Sequence, residues 1–245
     1  MRNTNFPQKK NIIFVKSASP QYIIFRNNCK TEQECDIMYE KEREQVASFM
    51  RRLYRQFLTT TSGGNISCRT ADGNIAITAS QSDKAEQSPE TVGIVTPDGR
   101  SLTPDLKLSI ETSLHLGIYA RRKDVQAIVH AHPVTATLFC CSEEPLDTHL
   151  TAEAYAMAGD AVKIPYALMG SQALADLVAE HMLNYNCGLM ENHGVITVGN
   201  SLLNAFDRME LLENAAKQTL MAHSIICRRL TAEQLRELDR FAGRK

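Results

Sequence analysis

The clearest hydrophobic pattern is a helical one in the first quarter of the chain. Between Glu40 and Leu58, apolar residues recur at intervals of three and four, with charged residues on the opposite side. This spacing gathers them into one stripe and predicts an amphipathic helix over residues 40–58. Similar spacing predicts further helices over residues 108–122, 171–185 and 200–227, and a capping-box sequence from Thr231 to Gln234 predicts a short last helix.

Between the helices the pattern changes to short apolar runs bounded by turn residues, which is typical of β-strands. Strands are predicted over residues 66–69, 74–78, 91–96, 125–132 and 188–198, the last interrupted by Gly194. Short strands interleaved with helices indicate an α/β or α+β class in one domain. Residues 1–37 read differently, with frequent Asn and Lys, so we interpret them as an N-terminal extension that can be poorly ordered, followed by one domain over 38–245.

Composition excludes several classes of protein. The chain has 245 residues, 43% of them hydrophobic, and its net charge is −1, which argues against binding nucleic acid through overall positive charge. Apolar runs fall well short of the ~20 residues of a membrane span, so we expect no membrane partner. The seven cysteines include no C-x-x-C pair, which argues against a disulfide framework and a cysteine zinc site. A reducing cytoplasmic location is expected.

Two histidines separated by one residue form the sharpest local feature. His130 and His132 lie at the end of a predicted strand, where side chains two apart point to the same face. The pair can supply two ligands to one metal ion, and imidazole suits Zn²⁺ and its neighbours. The alternative is two polar residues on a solvent-facing surface.

Other polar residues could complete such a site. His193 lies in a turn-prone interruption of an apolar strand, where it is either a satisfied core group or a ligand. Glu111 opens a predicted helix, where it either favours the helix dipole or joins a metal site that needs about three protein ligands and an open position. The turn at residues 62–65 contains Gly63 and Gly64, which could bring backbone N–H groups close to an anion or serve only as a turn.

Taken in order, these motifs resemble the class II aldolase/adducin-like family, the group that contains fuculose-phosphate aldolase. The resemblance covers about residues 40 to 230. Its motifs are Ser-Gly-Gly-Asn-Ile-Ser-Cys-Arg at 62–69, Ile77-Thr78-Ala79-Ser80, Glu111 with His115 and Tyr119, Val129-His130-Ala131-His132-Pro133, Ile164-Pro165-Tyr166, and Glu191-Asn192-His193-Gly194-Val195 before a long helix with Glu210 and Glu213.

The resemblance implies a fold, an assembly and a site. It implies a mainly antiparallel central sheet with helices on both faces, and a homotetramer with active sites between subunits. It implies a divalent metal, typically Zn²⁺, held by the three histidines, with Glu111 as catalytic acid/base that can also ligate the metal. The residues implied to hold a substrate phosphate are Gly64, Asn65, Ser80 and Ser109.

Three departures from the family pattern bear on the substrate and the second proton donor. Gln81 stands where the phosphate loop often has Gly, and Ile110 replaces a phosphate-binding Ser. These changes leave open whether the substrate carries a phosphate in the usual place. The tail from Leu230 to Lys245 contains no Tyr to act as a proton donor, so Glu153 is the candidate for this role. The alternative is that Glu153 is an ordinary exposed residue of a helix.

The predicted function is that of a metal-dependent aldolase, a lyase that cleaves or forms a C–C bond of a small ketose phosphate. Its products would be dihydroxyacetone phosphate and an aldehyde. The alternatives are a pentulose-phosphate 4-epimerase and a sugar-phosphate dehydratase using the same metal site. Epimerases of the family commonly carry Asp at the position of Glu111. The presence of Glu111 in this chain therefore favours cleavage over epimerisation. A non-enzymatic role, as in the adducin branch, is disfavoured because all three histidines and the glutamate are present.

Overall fold

The computed structural model describes residues 32–244, with side chains described from residue 38 onward. The helices are α1 (Glu32–Arg55), α2 (Thr112–Arg121), α3 (Val134–Cys140), α4 (Ala152–Ala158), α5 (Gln172–His181), α6 (Leu202–Ala222) and α7 (Ala232–Phe241). The strands are β1 (Asn65–Arg69), β2 (Ile75–Thr78), β3 (Val92–Val95), β4 (Ala127–Ala131), β5 (Ala161–Ile164), β6 (Cys187–Met190) and β7 (Gly194–Gly199). No helix among the described residues is long and apolar enough to cross a membrane.

The seven strands form one sheet in the order β3-β2-β1-β4-β7-β6-β5. All neighbouring pairs are antiparallel except β5 and β6, which are parallel. The centre of the sheet fixes the site, because β4 pairs with β1 on one side and β7 on the other. Asn65 lies opposite His130 across the first pair, and Ala131 lies opposite Val195 across the second.

Helices cover both faces of the sheet, and each face has its own hydrophobic core. On one face α1, α3 and α6 bury side chains such as Leu53, Phe139 and Phe206. On the other face α2 and α5 bury side chains such as Ile118 and Val178. Burying apolar area on both faces gives three layers around one sheet. The predicted single-domain fold, with a mainly antiparallel sheet between helices, is confirmed.

Element boundaries differ from the prediction where the pattern is short or polar. Helix α1 begins at Glu32 and so runs across the boundary predicted after residue 37, while residues 1–31 of the predicted extension lie outside the described residues. The apolar run over 188–198 is two antiparallel strands, β6 and β7, with His193 in the turn between them. Helices α3 and α4 and strand β5 were not predicted, because segments of four to seven residues carry too little periodicity.

Candidate active site

Three histidines converge at one end of the central strands. His130 lies on β4, His132 is the first residue after that strand, and His193 lies in the turn before β7. Because β4 and β7 are hydrogen-bonded neighbours, the turn is held beside the end of β4. One ligand nitrogen from each of the three residues lies within 4.8 Å of the others. The structure therefore brings together the three histidines that the resemblance implied as metal ligands.

Two glycines leave the space that the His132 ring occupies. A Cβ on Gly63 would lie 2.9 Å from Nδ1 of His132, and a Cβ on Gly194 would lie 2.5 Å from its Cδ2. Gly64 is also required, since its φ is +69° and a Cβ there would lie 2.6 Å from the carbonyl oxygen of His130. The glycine loop before β1 therefore lies directly against the histidine pair.

Glu111 faces the histidines from the start of α2. Its Oε2 lies 3.2 Å from Nε2 of His130, and its Oε1 lies 3.2 Å from Nε2 of His193. Asn65 donates a hydrogen bond from Nδ2 to Oε2 at 2.8 Å. The carboxylate is buried, so its two oxygens are aimed at the histidines rather than at bulk water.

The unpaired atoms at this point fit a bound cation. Nδ1 of His130 donates to the carbonyl oxygen of Val195 at 2.9 Å, which fixes the ring and leaves Nε2 directed into the site. Three buried atoms have no hydrogen-bond partner in the part of the chain that the structure describes: His130 Nε2, Glu111 Oε1 and His193 Nδ1. Leaving buried polar atoms unpaired is costly, and imidazole nitrogens with one carboxylate are a donor set that suits a divalent metal such as Zn²⁺. The residues present therefore fit the metal that the sequence predicted.

The charges at the cluster are strongly coupled. Burial would raise the pKa of Glu111, but the charge of His130 and the hydrogen bond from Asn65 outweigh it, so this pKa lies well below its usual value. Burial would lower the pKa of His130, but the Glu111 carboxylate raises it above the ordinary value. Burial and the neighbouring histidines lower the pKa of His132 to about 3 and that of His193 to about 4. His132 and His193 are thus neutral at pH 7, as metal ligands must be.

His115 is part of the site's support rather than of the histidine cluster. It is fully buried one turn after Glu111, with Nε2 2.5 Å from Oδ1 of Asn65 and Nδ1 2.6 Å from Oγ of Ser67. Sequence reasoning missed this link, and it missed that the Asn65 amide contacts Glu111. The residue pattern gave no signal for either contact, since both depend on how β1 and α2 pack together.

The segments predicted to hold a phosphate lie side by side. Ala79 and Leu108 form an isolated β-bridge, and the Ser80 N–H donates to the carbonyl oxygen of Lys107 at 2.8 Å. Ser80 and Ser109, on adjoining segments, are therefore brought to the same region, while Ile110 between Ser109 and Glu111 is 54% exposed. The side-chain amide of Asn65 already makes hydrogen bonds to Glu111 and His115. Phosphate binding by Gly64, Asn65, Ser80 and Ser109 stays a prediction.

Glu153 is not brought to the histidine cluster within this chain. It lies exposed in the first turn of α4, and lines a cavity of about 210 Å³ against α6, with Leu211 and Lys217 among the other lining residues. The described residues that line this cavity include neither Glu111 nor any of the three clustered histidines. A catalytic role for Glu153 stays a prediction.

Comparison with known proteins places the fold and the site in a family context. Residues 44–220 match the family described as Class II Aldolase and Adducin N-terminal domain. The 5-deoxy-D-ribulose 1-phosphate aldolase of Bacillus thuringiensis serovar kurstaki is 34% identical over 194 residues, covering 77% of this chain and 89% of the relative. The 3-oxo-tetronate 4-phosphate decarboxylase of Pectobacterium atrosepticum is also 34% identical, over 198 residues, covering 79% of this chain and 88% of the relative.

A solved structure gives the same fold. An L-fuculose 1-phosphate aldolase superimposes with a TM-score of 0.77 at 27% identity, covering 82% of this chain and 96% of the other. Because an aldolase and a decarboxylase are equally similar to this chain in sequence, overall identity does not select between the two reactions.

Proposed function

Because the chain belongs to the class II aldolase and adducin family, we propose that it is a metal-dependent aldolase acting on a small ketose phosphate. In the proposed reaction a C–C bond is broken or formed, giving dihydroxyacetone phosphate and an aldehyde in the cleavage direction. The observation that carries the proposal is the cluster of His130, His132 and His193, two of which lie 3.2 Å from the buried carboxylate of Glu111. The aldolase relative and the aldolase structure support it.

The three histidines would hold the metal, and Glu111 can join them before substrate arrives. A divalent cation bound there supplies Lewis-acid polarisation of the substrate carbonyl. The protein's part is to present the imidazoles in fixed orientations. His130 is oriented by its bond to Val195, and the ring of His132 fits between two glycines.

Glu111 handles the proton at the carbon next to the substrate carbonyl. When the C–C bond is cleaved, the hydroxyl of the departing carbon gives up its proton and becomes the aldehyde carbonyl, and Glu153 is the proposed acceptor of that proton. The electron pair of the broken bond stays on the carbon next to the ketose carbonyl as an enediolate, and a proton delivered there completes the dihydroxyacetone phosphate half. In the synthetic direction Glu111 removes the same proton. General acid–base catalysis of this kind contributes roughly 10²–10⁴-fold to a rate. The substrate phosphate is proposed to lie against Gly64, Asn65, Ser80 and Ser109.

A coupled assay for dihydroxyacetone phosphate tests the proposal. A panel of ketose 1-phosphates differing in length and stereochemistry is incubated with metal-loaded protein, with and without a chelator. We expect chelator-sensitive release from at least one member, and a loss of roughly 10²-fold or more in Glu111→Gln. Glu210→Gln is the matched control, since Glu210 lies partly exposed on α6 and pairs with Arg52. Absence of release from the metal-loaded protein across the panel would overturn the aldolase proposal.

Decarboxylation is the second candidate, because a decarboxylase is as similar in sequence as the aldolase relative. Loss of CO₂ from a 3-oxo acid also leaves an electron pair beside a carbonyl, so the same donor set serves it. Release of CO₂ from a 3-oxo-tetronate 4-phosphate, with no release from ketose phosphates, would select this reaction. Epimerase and dehydratase activities are tested on the same protein with a pentulose phosphate, by following isomerisation and loss of water.

The proposed enzyme is a cytoplasmic homotetramer with active sites between subunits. The five free cysteines among the described residues suit a reducing compartment. Large apolar side chains that are exposed in the single chain, such as Ile226 and Phe241, support burial against other copies. Light scattering coupled to size-exclusion chromatography measures the mass, and a monomer at assay concentration would contradict the assembly.

A further inference from the structure

A chain of buried side chains runs from the interior of the protein to Glu111. The Tyr119 hydroxyl lies 2.9 Å from Oγ of Ser67, and Ser67 Oγ lies 2.6 Å from Nδ1 of His115. His115 Nε2 then lies 2.5 Å from Oδ1 of Asn65, whose Nδ2 lies 2.8 Å from Oε2 of Glu111. All five residues are buried, so water does not compete for these contacts.

The chemistry of the groups gives this chain one direction. An ionised carboxylate only accepts hydrogen bonds, so Asn65 presents its NH₂ group to Glu111 and its carbonyl oxygen to His115. That carbonyl oxygen also only accepts, so Nε2 of His115 must carry the ring proton and donate it. Nδ1 is then bare and accepts from the hydroxyl of Ser67.

The hydroxyl groups complete the same order. Ser67 donates to His115 and can accept from the hydroxyl of Tyr119, so every donor along the chain points toward Glu111. Burial lowers the pKa of His115 to about 3, which agrees with a neutral ring of fixed tautomer. A turned Asn65 amide would place its NH₂ against a donor and its oxygen against a carboxylate, at the cost of two buried hydrogen bonds.

We propose that His115 is a positioning residue that, through Asn65, holds Oε2 of Glu111 and leaves Oε1 as the oxygen that exchanges the substrate proton. This inference rests on the proposed proton transfer by Glu111. Nε2 of His193 lies 3.2 Å from Oε1, but Oε1 has no hydrogen-bond partner among the described residues, whereas Oε2 accepts a hydrogen bond from Asn65. In the step, the substrate C–H bond breaks, its electron pair stays on carbon, and an O–H bond forms at Oε1. Reversal with a solvent deuteron gives a C–D bond.

Two substitutions of His115 separate positioning from packing. In His115→Gln the side-chain amide nitrogen falls close to the place of Nε2 and can still donate to Asn65. In His115→Asn the amide falls close to the place of Nδ1, so the contact with Ser67 can persist while the donor to Asn65 is lost. Both variants remove an aromatic ring from the same buried position. Ser67→Ala is a milder third variant, which removes the hydroxyl that fixes the tautomer.

The measurement is deuterium exchange into dihydroxyacetone phosphate in D₂O, followed by proton NMR on the metal-loaded enzyme without aldehyde. We expect the maximal exchange rate of His115→Asn to fall between about tenfold and a hundredfold, with KM, metal content and thermal stability matching His115→Gln. His115→Gln should keep most of the wild-type rate, and Ser67→Ala should fall in between. An equal loss in the Gln and Asn variants, or a wild-type rate in His115→Asn, would overturn the proposal.

A readout that needs no activity keeps this inference separate from the proposed function. The tautomer of His115 can be measured by nitrogen-15 NMR of the histidine rings. The signals of His115 are those that disappear in His115→Gln, and in the wild-type protein they should show a protonated Nε2 and an unprotonated Nδ1. The opposite tautomer would overturn the positioning role whatever the reaction is. If the wild-type enzyme exchanges no deuterium while the expected tautomer is present, the proton transfer by Glu111 is at fault, and the assignment of Oε1 as its exchanging oxygen falls with it.

Discussion

Gly194 and His132 are packed so closely that a Cβ on the glycine would lie 2.5 Å from Cδ2 of the imidazole. No real side chain tolerates that approach, so Gly194→Ala must displace the His132 ring. Because His132 is a proposed metal ligand, we expect metal affinity to fall by about tenfold to a hundredfold. Competition with a fluorescent chelator measures the change in affinity.

A glycine without such a neighbour is the control for this substitution. A Cβ on Gly73 would meet nothing within 4 Å, and Asn tolerates the positive φ of +87° found there. Gly73→Asn should therefore keep the wild-type metal affinity. Equal affinity in Gly194→Ala and the wild type would show that the His132 ring does not contribute to metal binding.

Removing His130 tests the metal site directly. Its Nε2 is buried 3.2 Å from Oε2 of Glu111 and has no hydrogen-bond partner among the described residues, so we expect His130→Ala to be purified without metal. Elemental analysis by mass spectrometry gives the stoichiometry. His223→Ala is the matched control, because His223 is exposed and pairs only with Glu144 among the described residues. A normal metal content in His130→Ala would rule out the proposed ligand set.

Glu213 is expected to stabilise the segment that follows the histidine pair. Its buried carboxylate accepts from the backbone N–H groups of Thr135 at 3.3 Å and Ala136 at 2.8 Å, in the first turn of α3. The N-cap residue of α3, Pro133, makes no side-chain hydrogen bond to these N–H groups. Hydrogen bonds to charged groups contribute about 1.5–3 kcal/mol, so Glu213→Ala should lower the free energy of unfolding by about that much, measured by urea denaturation.

Glu210 provides the comparison on the same helix. Its ion pair with Arg52 is partly exposed, and such pairs contribute about 0–1 kcal/mol. Glu210→Ala should therefore be the milder change. If the two variants unfold at the same urea concentration, the carboxylate of Glu213 does not stabilise α3.

Lys84 should make stability depend on pH in the alkaline range. The ammonium is buried with only the carbonyl oxygen of Ala79 and the hydroxyl of Ser82 as partners of its Nζ among the described residues, and burial lowers its pKa to about 8. Its unfolded pKa is about 10.4. Between these values the unfolded state binds more protons, so this group's contribution raises stability as pH increases from 8 to 10.

Lys84→Met removes that group without removing much volume. The free energy of unfolding of the wild type, relative to Lys84→Met, should rise across this pH range and be flat between pH 6 and 7. Comparing the two proteins cancels the titration of the other groups they share. A difference that stays constant up to pH 10 would show that Lys84 keeps an ordinary pKa.

Ile110 offers a test of the phosphate end of the proposed site. A serine there would add a hydroxyl beside Ser109, and one hydrogen bond is worth about 0.5–1.5 kcal/mol. Ile110→Ser should therefore lower KM for a phosphorylated ketose by roughly twofold to tenfold. Leu203→Ser is the control, since Leu203 is an exposed residue of α6. Because Ile110 replaces a phosphate-binding Ser, we expect the wild-type protein to bind phosphoglycolohydroxamate only weakly, and tight binding would contradict this expectation.

Much of the fold was accessible from the sequence, because its longer elements carry clear periodicity. The stripe in α1 and the capping box of α7 match the structure, and α5 begins within one residue of its predicted start. The placement of β5 was not accessible, since a four-residue strand that pairs in parallel with β6 shows no local pattern of its own. Edges of elements depend on tertiary contacts, which local spacing does not record.

The residues that lie together at the candidate site were named from the sequence, but the contacts among them were not. The spacing of His130 and His132 was compatible with one shared metal or with a solvent-facing pair, and the order of motifs added His193 and Glu111 by resemblance. The bond from Asn65 to Glu111 joins residues 46 apart, and it requires Asn65 to lie opposite His130 in the register of β1 against β4. One residue of register shift would turn the Asn65 side chain to the other face of the sheet.

The order of strands at the centre of the sheet has a consequence for how the protein acquires metal during synthesis. Glu111 and the first two histidines leave the ribosome well before His193, and β7 must pair with β4 before the His193 turn lies beside them. On a nascent chain that ends before β7, the proposed ligands are therefore not yet assembled. Loading of the proposed metal would be a late event that follows closure of the central strands, and a metal bound there would oppose their separation.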